Sequence, residues 1–275
     1  MSAPRLARIL ASRGVQAVGA SVAAGAFAAS GVALASDNVL HPPAYPWTFN
    51  GFFNAYDAAS IRRGHQVYTQ ICATCHSLNR IAFRNLVDVC YTEDEVKAMA
   101  EEVDVTDGPN DAGEMFERPG KLADYLPSPY PNEEAARYSN GGAYPPDLSL
   151  IVKARHNGPD YIFALLTGYK EPPAGVPPRE TQWYNPYFAG GWIGMPPPLG
   201  EDGAVDYFDG TPSTRTQMAK DVTCFLQWAA EPEHDDRKLM GFKWIVGMTI
   251  ALGLTTYYKR FKWAPIKNRR LEFEN

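Results

Sequence analysis

Cysteine is scarce in this chain, with four in 275 residues. Four thiols, of which only Cys72 and Cys75 are closely spaced, cannot staple a protein of this length, so a disulfide scaffold is excluded. The lone Cys90 and Cys224 also fail to supply the second close pair that four-coordinate structural zinc ordinarily uses. Charge is missing from particular places. No acid precedes Asp37, no charged residue lies between Gly14 and Ser36, and a single base, Lys97, stands among eleven acids from Asp88 to Glu117. The formal charge of -5 therefore conceals a segregation. Residues 1–35 hold three Arg and no acid, residues 237–275 hold nine Lys or Arg and two acids, and the middle is acidic by about 15 charges.

The closely spaced thiols are followed by a histidine, in Cys72-Ala73-Thr74-Cys75-His76. C-x-x-C-H is the attachment pattern for a c-type haem, in which two thiols add across the vinyl groups and the adjacent imidazole binds the iron. About one helical turn separates the thiols, a span that matches the edge of the macrocycle and brings His76 beneath its centre. A thioredoxin-like redox pair would need a preceding strand in a βαβ setting, and the residues from Asp57 to Ile71 do not read as one.

The two ends predict attachments to a central head. Arg5, Arg8 and Arg13 interleave with Leu6, Ile9 and Leu10, which predicts a mitochondrial targeting and sorting presequence over 1–35, with a small-residue site at Ala33-Leu34-Ala35. The same features suit a bacterial secretory signal. Near the other end, Leu239–Tyr258 is long enough to span about 30 Å of hydrocarbon. Its one charge, Lys243, lies a turn from the start and can snorkel to the interface. Lys259, Arg260, Lys262, Lys267, Arg269 and Arg270 follow as a basic tail that the positive-inside rule keeps on the matrix or cytoplasmic side. The expected organisation is a head over 36–236, a linker and transmembrane helix over 237–258, and a matrix-facing tail over 259–275.

Within the head, His41 to Trp47 is proline-rich and aromatic, expected to lie extended along the surface. A helix capped by Asp57 or Ser60 leads into the motif, with Gly64, Tyr68, Cys72 and His76 at intervals of four, so that Gly64 could admit a crossing helix. The partner is expected from Thr211-Pro212 to Glu231-Pro232, with Met218, Val222, Phe225 and Ala229 as its apolar stripe. Residues 119–212 carry sixteen of the 23 prolines and read as ordered loop, with short helices capped by Asp147 and Asp160. A second axial iron ligand would come from Met99, Met115, Met195, Met218 or one of His41, His65, His156 and His234. Met195, in Trp192-Ile193-Gly194-Met195-Pro196-Pro197-Pro198, is the best placed, because the prolines stiffen the loop and Gly194 permits close approach. An arginine could hold a haem propionate through paired hydrogen bonds, and Arg155 is one of several candidates.

Gly64 and Tyr68 ahead of C-x-x-C-H, with an aromatic terminal helix, resemble the class I cytochrome c fold. Tyr45-Pro46-Trp47, Ser60-Ile61-Arg62-Arg63-Gly64, Arg118-Pro119-Gly120-Lys121, Pro145-Pro146-Asp147-Leu148-Ser149, Arg155-His156, Leu166-Thr167-Gly168-Tyr169, Asn185-Pro186-Tyr187-Phe188 and Ala229-Ala230-Glu231-Pro232 are similar to the cytochrome c1 family. The resemblance implies a mainly α protein: a class I cytochrome c-like haem domain with long ordered Pro-rich loops and one C-terminal transmembrane helix. It implies one covalent haem c on Cys72 and Cys75, with His76 and Met195 as iron ligands and Arg155 at a propionate. It further implies an electron-transfer subunit of quinol:cytochrome c reductase (complex III), not an enzyme on its own. Such a subunit takes one electron from the Rieske iron-sulfur protein and passes it to soluble cytochrome c. Implied partners are cytochrome b, the Rieske protein and other subunits of a dimeric complex, with no nucleic acid. The implied place is the mitochondrial inner membrane, single pass, with the haem domain in the intermembrane space and the C-terminus in the matrix. The acidic run from Asp88 would then steer a basic partner. A different membrane-anchored c-type subunit would leave the iron exchangeable, and a zinc-stabilised interaction domain would be colourless.

Overall fold

Asp57 starts the first helix: its carboxylate accepts from Ala59 N at 3.0 Å, satisfying one of the orphan donors of the first turn. In the computed structural model, residues 40–272 are described, and the targeting segment expected at 1–35 lies outside them. Helix α1 (Ala58–Gln70) buries Ile61, Gly64, His65, Val67 and Tyr68. Helices α2 (Glu93–Glu101), α3 (Glu133–Ser139), α4 (Gly158–Thr167), α5 (Arg215–Ala230) and α6 (His234–Lys267) follow. Two antiparallel ribbons, β1 (Asp104–Asp107) with β2 (Phe116–Pro119) and β3 (Trp183–Tyr184) with β4 (Trp192–Ile193), and two 3₁₀ turns, Cys72–Thr74 and Phe83–Leu86, accompany them among the described residues. The architecture is mainly α, and most of the proline-rich segment is loop, as expected.

The core forms where α1 meets α5, and Met218, Val222, Phe225 and Ala229 are all buried there. Gly64 is required at the crossing: a Cβ on it would stand 2.1 Å from the Asp221 carbonyl oxygen and 2.7 Å from Phe225 Cβ. The crossing also encloses a charge. The Asp221 carboxylate, 0% exposed, accepts from Ser60 Oγ at 2.6 Å, Arg63 Nε at 2.8 Å and Gln217 Nε2 at 2.8 Å, which compensates its desolvation. Helix α5 starts three residues later than expected. Thr214 caps it by accepting from Gln217 N at 3.2 Å, whereas Thr211 donates its N–H to Asp209 in the preceding turn. It ends before Glu231-Pro232, as the proline requires.

Three other expectations are corrected. The segment from Asp147 to Asn157 is a run of turns and not a helix; the Asp147 carboxylate accepts locally from Ser149 N at 2.9 Å on one oxygen, and its other oxygen is tied to Ser77 Oγ at 2.9 Å and Asn79 N at 2.8 Å. Helix α4 starts at Gly158, with Asn157 as its cap, not at Asp160. Asp160 instead accepts from Tyr45 N at 3.1 Å and from Trp47 Nε1 at 2.7 Å. Residues 41–46 lie irregular and exposed or half-buried along the head, as expected, but that pair of bonds draws the end of the arm inward, so Trp47 is a core residue and Phe49 follows it into the core.

Helix α6 begins four positions after the last residue of α5 and runs for 34 residues, about 50 Å at 1.5 Å per residue. Its most apolar window has a mean hydropathy of 1.4 and none of it is buried within the protein. One helix thus takes in the expected linker, the apolar stretch and the tail as far as Lys267.

Candidate functional site

Beyond Gln70 helix α1 tightens, and Cys72–Thr74 forms a single 3₁₀ turn. Cys75 N and His76 N both donate to the Cys72 carbonyl, at 3.1 and 2.8 Å. The buried Tyr68 donates its hydroxyl to His76 O at 3.1 Å, fastening the end of the motif to the helix that precedes it. Both thiols are unbridged. Burial, with Cys75 alongside, pushes the Cys72 thiol up to about 12, so with no partner on its sulfur it stays protonated. Among the described residues no group of three or more His, Cys, Asp or Glu is gathered as a metal-binding cluster.

His76 is oriented by a backbone group. Its Nδ1 lies 2.8 Å from the Pro146 carbonyl oxygen, and since a carbonyl only accepts, the proton is on Nδ1 and the Nε2 lone pair is free. Burial holds the imidazole below its ordinary value, against the opposing pull of the Pro146 bond and Asp147. A neutral ring of fixed tautomer, its far nitrogen bonded to a carbonyl, is the arrangement of a metal-ligating histidine. Pro146 is itself held in place. Asp147 bonds back to Ser77 and Asn79, Leu148 N donates to Ser77 O at 2.9 Å, and Arg80 N donates to Ser149 Oγ at 3.1 Å. Burial raises the Asp147 carboxyl, but hydrogen bonds from Asn79, Ser149 and Ser77 outweigh it and leave the group below the usual range.

Met195 follows β4 on the loop that Gly194 opens. The Tyr169 hydroxyl donates to Met195 O at 3.1 Å. The base of the loop is pinned by Asn185, 0% exposed, whose Nδ2 donates to Leu165 O at 2.8 Å while its backbone N–H donates to Gly191 O at 2.9 Å. A Cβ on Gly194 would approach Ala143 Cβ to 3.1 Å. The segment Ala143–Pro146 therefore touches the Met195 loop at one end and the His76 ring at the other.

Four of the other ligand candidates are engaged or misplaced. Met218 is sealed in the core and Met115 is exposed on the acidic ribbon. His65 packs against Phe225 and bonds Tyr91 Oη at 2.9 Å, and burial lowers it to about 4. His234 Nδ1 sits 2.7 Å from Asp235 Oδ1. Arg155 is exposed in the turn before α4 and donates to Ala154 O at 3.1 Å. It also lies close enough to Tyr161 to oppose the rise that burial gives that phenol.

This donor set fits a covalently held haem: two unbridged thiols within one turn, an imidazole presenting Nε2, and a thioether on a loop that shares a wall with that imidazole. Sequence reasoning missed the groups that aim these donors, namely the Pro146 carbonyl, the Tyr68 and Tyr169 hydroxyls and the Asn185 amide. Pro145-Pro146 entered only as part of a family motif, because a backbone acceptor leaves no mark in residue type. On the acidic run, Glu93 pairs with Lys97, Glu95 with Arg62 and Asp107 with Arg118, while Asp94, Glu101, Glu102, Asp111 and Glu114 are exposed.

Residues 47–266 match the model of the Cytochrome C1 family. The chain is 62% identical over 236 residues to "Cytochrome c1-2, heme protein, mitochondrial" of Solanum tuberosum, covering 86% of this chain and 90% of that protein. It is 61% identical over 241 residues to "Cytochrome b-c1 complex catalytic subunit, mitochondrial" of Candida albicans, covering 87% and 83%. It is 57% identical over 240 residues to "Cytochrome c1, heme protein, mitochondrial" of Saccharomyces cerevisiae, covering 87% and 77%.

Proposed function

Because the chain belongs to the cytochrome c1 family, we propose that it is the haem-carrying electron-transfer subunit of a mitochondrial cytochrome b-c1 complex. The observation that carries this reading is the C-x-x-C-H turn with unbridged thiols and an imidazole whose Nδ1 is committed to Pro146 O. Cys72 and Cys75 would hold the haem through thioether links, His76 and Met195 would ligate its iron, and Arg155 would face a propionate. Haem c supplies a one-electron couple, and His/Met ligation raises its potential and closes the iron to small ligands. The chain's own residues fix the ligands: Pro146 O sets the His76 tautomer, Tyr68 holds the motif's end, and Tyr169 holds the Met195 backbone. The chain makes and breaks no substrate bond alone.

In this reading the electron comes from the Rieske iron-sulfur protein and leaves to soluble cytochrome c. The unpaired acids Asp94, Glu101, Glu102, Asp111 and Glu114 favour a basic acceptor. The assembly is a dimeric complex with cytochrome b. The head over 36–236 lies in the intermembrane space, α6 crosses the inner membrane, and the basic tail lies in the matrix after removal of 1–35. The support for the orientation is the excess of Lys and Arg beyond Tyr258.

Three measurements test it. A pyridine haemochrome spectrum and the mass of the Cys72–His76 peptide should show one haem bound through two thioethers; thiols that alkylate freely after denaturation would overturn the assignment. Carbon monoxide should leave the reduced native protein unaltered and bind Met195→Leu; binding to the native protein would mean that Met195 is not the ligand.

A further inference from the structure

We propose that the loop from Phe49 to Tyr56 is a membrane foot, a second point at which the head touches the lipid surface beside α6. Two large aromatic side chains in it face outward, Phe52 at 51% and Phe53 at 82% exposure. They are not scattered surface residues. Phe52 and Phe53 meet edge to face at 4.9 Å, and both rings turn edge to face towards Phe242, at 6.4 and 5.8 Å, which is itself 41% exposed on α6. Phe242 lies three residues inside the apolar stretch that begins at Leu239, about 5 Å along the helix axis. The cluster therefore stands at the depth where interfacial aromatic side chains sit, between headgroups and acyl chains.

The backbone of this loop is prepared for the same environment. A loop near hydrocarbon must satisfy its polar groups internally. Lys238, on the first turn and a half of α6, donates from its one ammonium to Phe49 O at 2.8 Å, Gly51 O at 2.7 Å and Asn54 O at 2.9 Å. All three of its donors are thereby spent on loop carbonyls, so this lysine points back into the loop and does not reach for lipid phosphates. Tyr56 N donates to Asp235 Oδ2 at 3.0 Å, closing the far end of the loop onto α6. The occupant of the aromatic face is the interfacial layer of the bilayer, because the face is continuous with the apolar surface of a helix long enough to cross one.

The inference rests on α6 being a membrane span and is tested apart from it. The full chain is reconstituted in phosphatidylcholine nanodiscs, and the added fluorescence of Phe53→Trp over the unmodified protein is quenched in turn by lipids brominated high on the acyl chain and by aqueous iodide. Ile250→Trp, in the middle of the span, is the control, and lipids brominated near the chain ends should quench it. With that control positive, Phe53→Trp should lose most of its added emission to the shallow bromines and little to iodide. Quenching by iodide alone would overturn the foot as solvated. In the assembled complex in native membranes, loss of bromolipid quenching with no gain in iodide quenching would assign the face to another subunit and equally overturn it. A negative Ile250→Trp control would instead remove the span itself.

Discussion

The two walls of the proposed haem site are built differently. The His76 wall is knitted from two strands of irregular chain, 76–80 and 146–149, by five hydrogen bonds, and Tyr68 ties it to the α1–α5 crossing. The Met195 wall is a loop held at its tip by one tyrosine hydroxyl and at its base by Asn185. One wall inherits its geometry from the core, and the other is a strap laid over it. A ligand on the first should move only when the fold moves, whereas the second should be open to adjustment by single contacts.

The largest test of the contrast is Gly64→Val at the crossing. The added atoms meet backbone at a distance no side chain tolerates, so the cost should reach about 3 kcal/mol or more, and the His76 side should lose order with it; a variant as stable as the parent in thermal melts would break the comparison. Asp147→Ala should cost about 2–3 kcal/mol by removing the bonds that a carboxylate accepts from Ser77 Oγ, Asn79 N and Ser149 N, with a changed potential seen in a redox titration.

Acid should act through the core side as well. Burial holds His65 at about 4 instead of 6.5, so the unfolded chain takes up this proton before the folded one does. Its contribution is complete above pH 6.5 and is lost as pH falls from 6.5 towards 4, in total about 3 kcal/mol. Thermal melts of His65→Phe should be flatter than the parent's across that window; parallel curves would refute the assignment. Tyr169→Phe should cost only about 1 kcal/mol and admit slow carbon monoxide binding where the parent shows none, leaving the His76 side as it was. Smallest is the effect of reversing charge at Asp94, Glu101 and Glu102, which should slow reduction of a basic cytochrome c at low ionic strength and fade as salt is added; an effect equal at all salt concentrations would point away from steering.

The same contrast explains what could be read in advance. The α1–α5 pair was legible because helical periodicity and a glycine four residues before a tyrosine are local statements about side-chain size. The proposed ligands could be named for a similar reason: C-x-x-C-H and a methionine amid prolines advertise their chemistry. The helix ends and the turns after Asp147 were not legible: Asp160 is a good cap by residue type but is taken by Tyr45 and Trp47, and Asp147, while it keeps a local bond from Ser149 N, shares its carboxylate with the distant donors Ser77 and Asn79. Competition between a local and a long-range partner for one carboxylate is settled by tertiary structure, which a single sequence does not display.

Glu231, between α5 and α6, takes Lys153 at 3.1 Å and Arg237 at 3.3 Å on its carboxylate, while Tyr56 Oη reaches its carbonyl at 3.4 Å. Braced in this way, the short connection behaves as a weld more than a swivel. In the proposed reading, a haem mounted on such a post would keep a constant height over the bilayer, and traffic on either side of it would be carried by molecules that travel to the post and depart again.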